Sequence, residues 1–174
     1  LDQLRLGTDS TARARAATTA VVARQLIRTT AGELRKHAER IKDDSSTDDF
    51  HKVRIRAKRL RYALEAFSSL YGGAAREYLA ALAKLQQLLG EYHDSTVRAE
   101  RFAELVTNGR RVPAATSYLV GRLVERDQGN LRKCQRKFTK AYRRTKRRRW
   151  RDLQAAMREQ EAQATRAPGS AGLP

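Results

Sequence analysis

The amino-acid sequence predicts an all-α protein, an antiparallel bundle of four long helices, and three observations support this prediction. All three prolines lie at Pro113 or later, so the first 112 residues lack this helix breaker. Alanine, leucine, arginine, lysine and glutamate, which favour helix, are abundant along the chain. Apolar residues recur three and four positions apart in four segments that short polar or glycine-containing stretches separate. We place the bundle at residues 10–160, between an N-terminal lead-in (1–9) and a flexible tail (161–174).

The first two predicted helices flank a polar loop at residues 43–47. The first helix runs from about Ser10 to Lys42. One of its faces carries Ala23, Leu26, Thr30, Leu34, His37 and Ile41. The second helix runs from Thr47 to about Tyr71, and we expect Gly72-Gly73 to end it. Its stripe is the clearest in the chain and consists of Phe50, Val53, Ala57, Leu60, Leu64, Phe67 and Tyr71.

The other two predicted helices run from about Ala74 to Thr107 and from about Pro113 to Glu159. The residues of the third helix expected to face inward are Tyr78, Leu82, Leu85 and Leu89. The stripe of the fourth helix consists of Val120, Val124, Asp127, Leu131, Cys134, Phe138 and Tyr142. Gly90 and Gly129 are the expected weak points of these two helices.

The charge of the chain indicates a polyanionic partner. Lys and Arg number 37 against 19 Asp and Glu, which gives a formal net charge of +18 over 174 residues. Nucleic acid, an anionic membrane surface and a free polyanion would all complement this charge. The single cysteine, Cys134, allows no disulfide within the chain and fits a cytoplasmic protein. No apolar run approaches the ~20 residues that a membrane-spanning helix needs.

The densest group of candidate binding residues lies in the second predicted helix. At ~100° per residue, His51, Arg54, Lys58 and Arg61 share one face, which borders the apolar stripe. We call these four residues the basic row and expect it at a groove between helices. The row spans about 15 Å, a length that suits a chain of phosphates better than a single phosphate. Arginine can hold two oxygens at once, and histidine gains its positive charge just below neutral pH.

A solvated basic surface is the alternative interpretation of this row. Between His51 and Arg61 the sequence has no acidic residue that would neutralise the row. Lys52 adds a further cation to the same segment, whereas Glu65 is placed to pair with Arg61 one turn later. The shortage of acidic partners favours a binding site over a solvated surface.

Two motifs together resemble the second repeat of the CHAD domain, a helical family named for its histidines. The first is His51-x-x-Arg54-x-x-x-Lys58-Arg59-Leu60-Arg61-Tyr62-x-x-Glu65. The second is Leu85-Gln86-x-x-Leu89-Gly90-x-x-His93-Asp94. In helix order the resemblance extends over residues 10–160. Members of the family resemble paired four-helix bundles that hold inorganic polyphosphate in a basic groove.

The resemblance implies a function and a set of roles. It implies non-catalytic polyphosphate binding by His51, Arg54, Lys58 and Arg61, with no cofactor and no metal, and a cytoplasmic location at polyphosphate granules. Tyr62, Glu65 and His93 would be supporting residues, and Asp94 would orient a basic side chain. The family's domain has two motif repeats and this sequence shows one. The chain is therefore expected to be the C-terminal half of such a domain, which needs either an N-terminal half or a second copy of itself.

The last predicted helix carries a second concentration of positive charge. Residues 122–151 contain fourteen Lys or Arg and two acidic residues. Those expected on the exposed side are Arg122, Arg126, Lys133, Arg136, Lys140, Arg143 and Arg147. From this helix, Arg136, Lys137, Lys140 and Arg144 are the candidates for assisting the basic row, with a solvated surface as the alternative. Trp150 is expected to pack at the end of the bundle or to stack on a base.

Three other functions remain open at this stage. RNA or DNA binding suits the charge, but no nucleic-acid motif occurs and only 6% of the residues are aromatic. A metal-dependent phosphohydrolase of the HD type would use His51, His93, Asp94 and Asp127 as ligands, but the cations around His51 would repel a metal. A membrane-surface role for the last helix is disfavoured because the bundle should cover its apolar face.

Overall fold

The computed structural model describes the backbone of residues 2–107 and 113–166, and the side chains of 14–105 and 113–166. Over these residues the chain forms five helices and no strand, which confirms the all-α prediction. The helices are α1 (Asp2–Ala38), α2 (Thr47–Ala66), α3 (Ser68–Thr107), α4 (Ala114–Arg143) and α5 (Arg148–Thr165). Contacts join α1 to α2, α2 to α3 and α3 to α4, and α5 lies against α1 and α3. An antiparallel four-helix bundle stays a prediction.

The predicted fourth helix is two helices in the structure. α4 ends at Arg143 and α5 begins at Arg148, whereas Gly129, the expected weak point, lies inside α4. In the connection the buried Thr145 hydroxyl donates a hydrogen bond to the Tyr142 carbonyl over 2.8 Å. Arg147 then takes a positive φ of 55°, which ends the helical course of the chain. The break turns α5 toward α1 and α3.

Other helix boundaries also differ from the predicted ones. α1 begins at Asp2, so residues 2–9, predicted as a lead-in, are helical. α2 ends at Ala66, before the predicted end at Tyr71, and α3 begins at Ser68. The helix break predicted at Gly72 is confirmed, because Gly72 has non-helical angles (φ 49°, ψ −123°) that kink α3. Gly90, the expected kink, lies in helical backbone within α3. Of the predicted tail, residues 161–165 belong to α5, and 167–174 lie outside the described residues.

A capping box fixes the start of α2, which is the helix that carries the basic row. The Asp49 amide donates to the Ser46 hydroxyl over 3.2 Å, and the Ser46 amide donates to the Asp49 carboxylate over 3.1 Å. The hydrogen bonds from Ser46 lower the pKa of Asp49. A cap of this kind contributes about 1 kcal/mol to helix stability.

The predicted stripes form one hydrophobic core. Every stripe residue predicted for the third helix is buried, and so is every one predicted for the second helix except Phe67. Of the stripe predicted for the fourth helix, the buried residues are Asp127, Cys134, Phe138 and Tyr142. The prediction for α1 is wrong at Leu26, which is exposed, because Ile27 occupies the buried position. Phe50 stacks on Tyr92 with ring centroids 4.3 Å apart and meets Phe138 edge-on at 5.5 Å. These three rings join α2, α3 and α4 beside the first residue of the basic row.

Two buried side chains and an ion pair hold α5 in place. Leu153 and Met157 are fully buried in the core. Arg24 on α1 pairs with Glu161 near the end of α5. Among the described residues, no helix is long and apolar enough to cross a membrane.

Candidate anion-binding groove

The basic row lies along the edge of the contact between α2 and α3. The apolar residues of α2 next to this row are fully buried; they are Val53, Ala57 and Leu60. His51 is exposed, and the other three members of the row are half-buried. The cations therefore border the apolar face of α2, as its periodicity predicts. Their stems pack against apolar surface while their charged ends remain within reach of a solvent-borne ligand.

The cations of α2 differ in whether they are ion-paired. Lys52 pairs with Asp48 over 2.5 Å, and that hydrogen bond raises the pKa of Lys52. Arg56 pairs with Glu33 of α1 over 3.1 Å. Within the described part of the chain, neither Arg54 nor Lys58 is in an ion pair. The structure therefore neutralises Lys52, which the sequence grouped with the site, and leaves two members of the row available for an anion.

Arg61, at the far end of the row, is held in position by three neighbours. Its Nη1 donates to Gln86 Oε1 over 3.1 Å. Its guanidinium lies over the Tyr62 ring, 5.2 Å from the centroid. Its Nε lies 3.4 Å from Glu65 Oε1 but makes no hydrogen bond, although that nitrogen is buried. Tyr62 and Glu65 thus contact Arg61 as expected of supporting residues, and Arg61 keeps an unsatisfied donor.

Gln86 is a site residue whose role the sequence does not reveal. Its Nε2 donates to the Ala57 carbonyl over 2.9 Å while its Oε1 accepts from Arg61. The side chain therefore links the backbone of α2 to the last cation of the row. The sequence shows Gln86 beside Leu85 in the second motif, but it does not show which groups the glutamine side chain hydrogen-bonds.

His51 and Arg54 open onto a cavity of about 260 Å³ at the other end of the row. His93 of α3 lies across it, with its ring centroid 5.6 Å from that of His51. The structure therefore brings together the two histidines that the motifs singled out. Asp48 and Glu100 also line this cavity, so the positive charge is concentrated at Arg54 and beyond it toward Lys58.

Asp94 and Asp127 lie near Arg98, outside the cavity that His51 and His93 line. Asp94 and Arg98 line a cleft of about 240 Å³ together with Lys133 and Lys137 of α4. Arg98 Nη2 donates to the buried Asp127 carboxylate over 2.8 Å and to Ser95 over 3.0 Å. The hydrogen bond from Arg98 lowers the pKa of Asp127, and the same bond raises the pKa of Arg98. Asp94 is thus close to basic side chains, although none of them belongs to the basic row.

The α4 residues proposed to assist the row are spread over several surfaces. Arg136 and Lys140 are exposed, and Lys137 lines the cleft with Asp94. Arg144 borders a third cleft with Lys84 and Arg149. No contact described for these four residues reaches the basic row. The exposed stripe of Arg122, Arg126, Lys133, Arg136, Lys140, Arg143 and Arg147 is confirmed, because each of these side chains is exposed.

The four ligands of the alternative phosphohydrolase site do not meet. His51 and His93 face each other, but Asp127 is engaged by Arg98. In the parts of the chain with described side chains, no group of three or more His, Cys, Asp or Glu residues is arranged to hold a metal ion. Cys134 is buried in the core, as predicted, and burial raises the pKa of its thiol.

The structure is thus an all-helical domain in which a histidine, two arginines and a lysine line the edge between two packed helices. The family model of the CHAD domain matches residues 1–103, and the chain belongs to this family. The match covers α1, α2 and α3 as far as residue 103, and both motifs lie within it. It does not extend over α4 and α5, although the resemblance was placed at residues 10–160. No curated protein and no solved structure matches the chain.

Proposed function

We propose that this chain binds inorganic polyphosphate along the basic row, without catalysis. The observation that carries the proposal is the contrast within α2, where Lys52 and Arg56 are ion-paired while Arg54 and Lys58 are not. A protein gains nothing in stability from like charges kept side by side without partners. A phosphate chain would supply negative oxygens at the spacing of the row. The CHAD family's association with polyphosphate supports the same ligand.

Arg61 adds a second reason for an anionic ligand. Its Nε is buried 3.4 Å from Glu65 Oε1, so an anion would reach the guanidinium through its terminal nitrogens. Gln86 holds the guanidinium against α3, which reduces the entropy lost when a ligand binds. A phosphate oxygen at the edge of the groove would form a charge-assisted hydrogen bond with this preorganised group.

Nucleic-acid binding is the second candidate, and the exposed stripe of α4 is the observation that favours it. The cations of this stripe are all exposed, and most of them line no cleft, so this surface attracts any polyanion. The two candidates differ in where the ligand binds. Polyphosphate binding depends on the α2 row, whereas generic polyanion binding depends on α4.

Competition binding at about 150 mM salt tests the proposal, because this concentration screens exposed charges. Long-chain polyphosphate is set against RNA of matched total charge. The proteins are the wild type, the Arg54→Glu/Arg61→Glu variant, and a control, Arg132→Glu/Arg143→Glu, with two exposed α4 substitutions. Both double variants change the net charge by the same amount. Circular dichroism verifies that all three are folded.

The wild type is expected to prefer polyphosphate, and the α2 variant to lose about 100-fold in affinity. That figure follows because a hydrogen bond to a charged group contributes about 1.5–3 kcal/mol and 1.4 kcal/mol is tenfold. The α4 control should lose at most about threefold, the effect of screened surface charge. Equal losses in the two variants, or equal binding of RNA, would show a generic polycation and exclude the groove.

The partner of this chain and its location in the cell are also proposals. One basic row covers a short stretch of a long polymer, and a second row would increase the avidity of the complex. We therefore propose that the chain acts with a further half-domain of this type, either a second copy or an N-terminal half, in the cytoplasm where polyphosphate granules form.

A further inference from the structure

A cleft of about 390 Å³ lies where α1 meets the connection between α4 and α5. It shares no lining residue with the cavity beside His51. Its volume falls within the range of about 300–1,000 Å³ that small-molecule sites occupy. Polyphosphate binding along α2 gives this cleft no role.

Aromatic rings form the inner surface of the cleft. Trp150 is half-buried, and its ring centroid lies 5.7 Å from that of the buried Tyr78. Tyr142 lies beside them with the ammonium of Lys146 over its ring, 4.7 Å from the centroid. Burial raises the pKa of both tyrosines, so their phenols stay neutral near pH 7. A flat ring can stack here, whereas a phosphate chain has no ring to place.

Cations form the outer edge of the same cleft. Arg28 and Arg35 are two turns apart on α1 and therefore lie on one face. Arg147 lies across the cleft, at the start of α5. All three are exposed, and within the described part of the chain none of them is in an ion pair. Lys146, by contrast, is neutralised by Glu39.

A glycine in the wall of the cleft leaves room for a ligand. Gly32 lies in the interior of α1, where glycine costs about 1 kcal/mol relative to alanine. A Cβ atom at this position would meet nothing within 4 Å. The packing of the protein therefore does not require glycine here. Its absent side chain lets a ligand approach the backbone of α1, between Arg28 and Arg35.

We propose that this cleft binds a nucleoside triphosphate. The base would stack on Trp150 beside Tyr78, and the phosphates would contact Arg28, Arg35 and Arg147. Aromatic groups at the inner surface of a cleft and cations at its outer edge suit a ligand with a flat ring at one end and phosphates at the other. The site is separate from the α2 row, so its existence does not depend on polyphosphate binding.

Calorimetry and the fluorescence of Trp150 test the proposal. Trp150 is the only tryptophan of the chain, so its emission reports directly on the cleft. The wild type is titrated with ATP, adenosine and inorganic tripolyphosphate. ATP should bind and change the emission, with an affinity about tenfold or more above that of either fragment, because both ends contribute. Absence of ATP binding, or equal affinity for tripolyphosphate, would overturn the proposal.

Three variants locate the binding. Gly32→Leu fills the cleft without changing any charge and should abolish ATP binding while leaving polyphosphate binding intact. Arg28→Glu/Arg35→Glu should weaken ATP binding by about 100-fold through the loss of two charged contacts. The matched control is Arg54→Glu/Arg61→Glu, with the same change in charge, and it should retain ATP binding within about threefold.

The variants also distinguish this proposal from polyphosphate binding. If the α2 variant loses ATP while Gly32→Leu keeps it, ATP binds through its phosphates at the groove and the cleft is excluded. If polyphosphate binding fails in every protein while ATP still depends on Gly32 and Arg28, the cleft stands and the proposed function fails. Circular dichroism verifies the fold of each variant before it is scored.

Discussion

Arg98 and Asp127 form an ion pair whose two members differ sharply in burial. The Asp127 side chain is 0% exposed, whereas that of Arg98 is 43% exposed. Removal of Arg98 therefore leaves a buried carboxylate without its counter-charge, whereas removal of Asp127 leaves an arginine that water can solvate. The free-energy costs of the two changes should differ accordingly.

Arg98→Ala is expected to lower the free energy of unfolding by about 3 kcal/mol, and Asp127→Asn by about 1–2 kcal/mol. Urea unfolding of both variants measures the difference. Arg126→Ala is the control, because Arg126 is exposed beside Asp127 and should change stability by less than about 0.5 kcal/mol. A larger loss in Asp127→Asn than in Arg98→Ala would contradict this order.

The same pair predicts how stability depends on pH. Because Arg98 lowers the pKa of Asp127 in the folded protein, the contribution is fully present above the ordinary aspartate pKa of about 3.9. It is lost as the pH falls through the lower, folded pKa. The stability difference between wild type and Asp127→Asn should therefore be constant from about pH 7 to pH 5 and shrink on further acidification. A difference that persists at about pH 2 would argue that packing causes it.

The burial of a single residue could be predicted where helical periodicity determines it. A contact that depends on a partner residue could not. The burial of Phe50 and Leu85 followed from helical spacing, because the face of a helix is set by its own sequence. The partner of Gln86 and the neutralisation of Lys52 could not be predicted. Each depends on the rotation of one helix against another or on one rotamer among several.

Two turns with nearly identical backbone angles interrupt the helical course of the chain, one inside α3 and one at the start of α5. Gly72 has φ 49° and ψ −123°, and Arg147 has φ 55° and ψ −117°. This region of backbone angles is open to glycine and costs other residues about 1–3 kcal/mol. The chain therefore uses a suitable residue at one turn and a strained one at the other.

Opposite substitutions at these turns are expected to have opposite effects. Gly72→Ala should destabilise the protein by about 1–2 kcal/mol through backbone strain alone, because a Cβ atom there meets nothing within 4 Å. Arg147→Gly should stabilise it by about 1 kcal/mol, the relieved strain less the added entropy of the unfolded chain. Thermal unfolding measures both changes.

Gly73→Ala is the control for the glycine turn. Gly73 has no positive φ, and its nearest contact is the end of the Arg76 side chain at 3.8 Å. It should be neutral or stabilising. If Arg147→Gly destabilises the protein, the cations at the start of α5 contribute more than the strain costs.

Helix boundaries were predictable where a local stop signal exists. The polar loop before Thr47 marks the start of α2 correctly, since Ser46 and Asp49 form a cap from their own side chains. The break between α4 and α5 was missed because residues 143–147 contain neither glycine nor proline. Burial of Leu153 and Met157 against the rest of the core is what favours the turn, and this tertiary contact has no local signature.

Net charge acts on the molecule as a whole. The formal net charge of +18 is the excess of cations left after every acidic residue is counted, so ion pairs within the chain cannot remove it, and these cations repel one another in the compact state. The sequence predicted a polyanionic partner from this charge alone. Charge alone does not separate the α2 row from the exposed stripe of the last predicted helix, whereas helical periodicity places the row beside the apolar stripe and so predicts a groove.

Salt and polyphosphate should both stabilise this protein, by different mechanisms. Salt screens the repulsion among all the cations, so Tm of the free protein should rise with salt. Polyphosphate stabilises by binding to the folded state, by about 2.7 kcal/mol at a hundredfold excess over Kd, and salt weakens that binding. The increment in Tm from polyphosphate should therefore shrink as salt is raised.

The Arg54→Glu/Arg61→Glu variant should keep the response to salt and lose the increment from polyphosphate. Thermal unfolding at low and high salt, with and without polyphosphate, separates the two effects. A Tm of the free protein that falls with salt would instead mean that pairs such as Arg24 with Glu161 outweigh the repulsion.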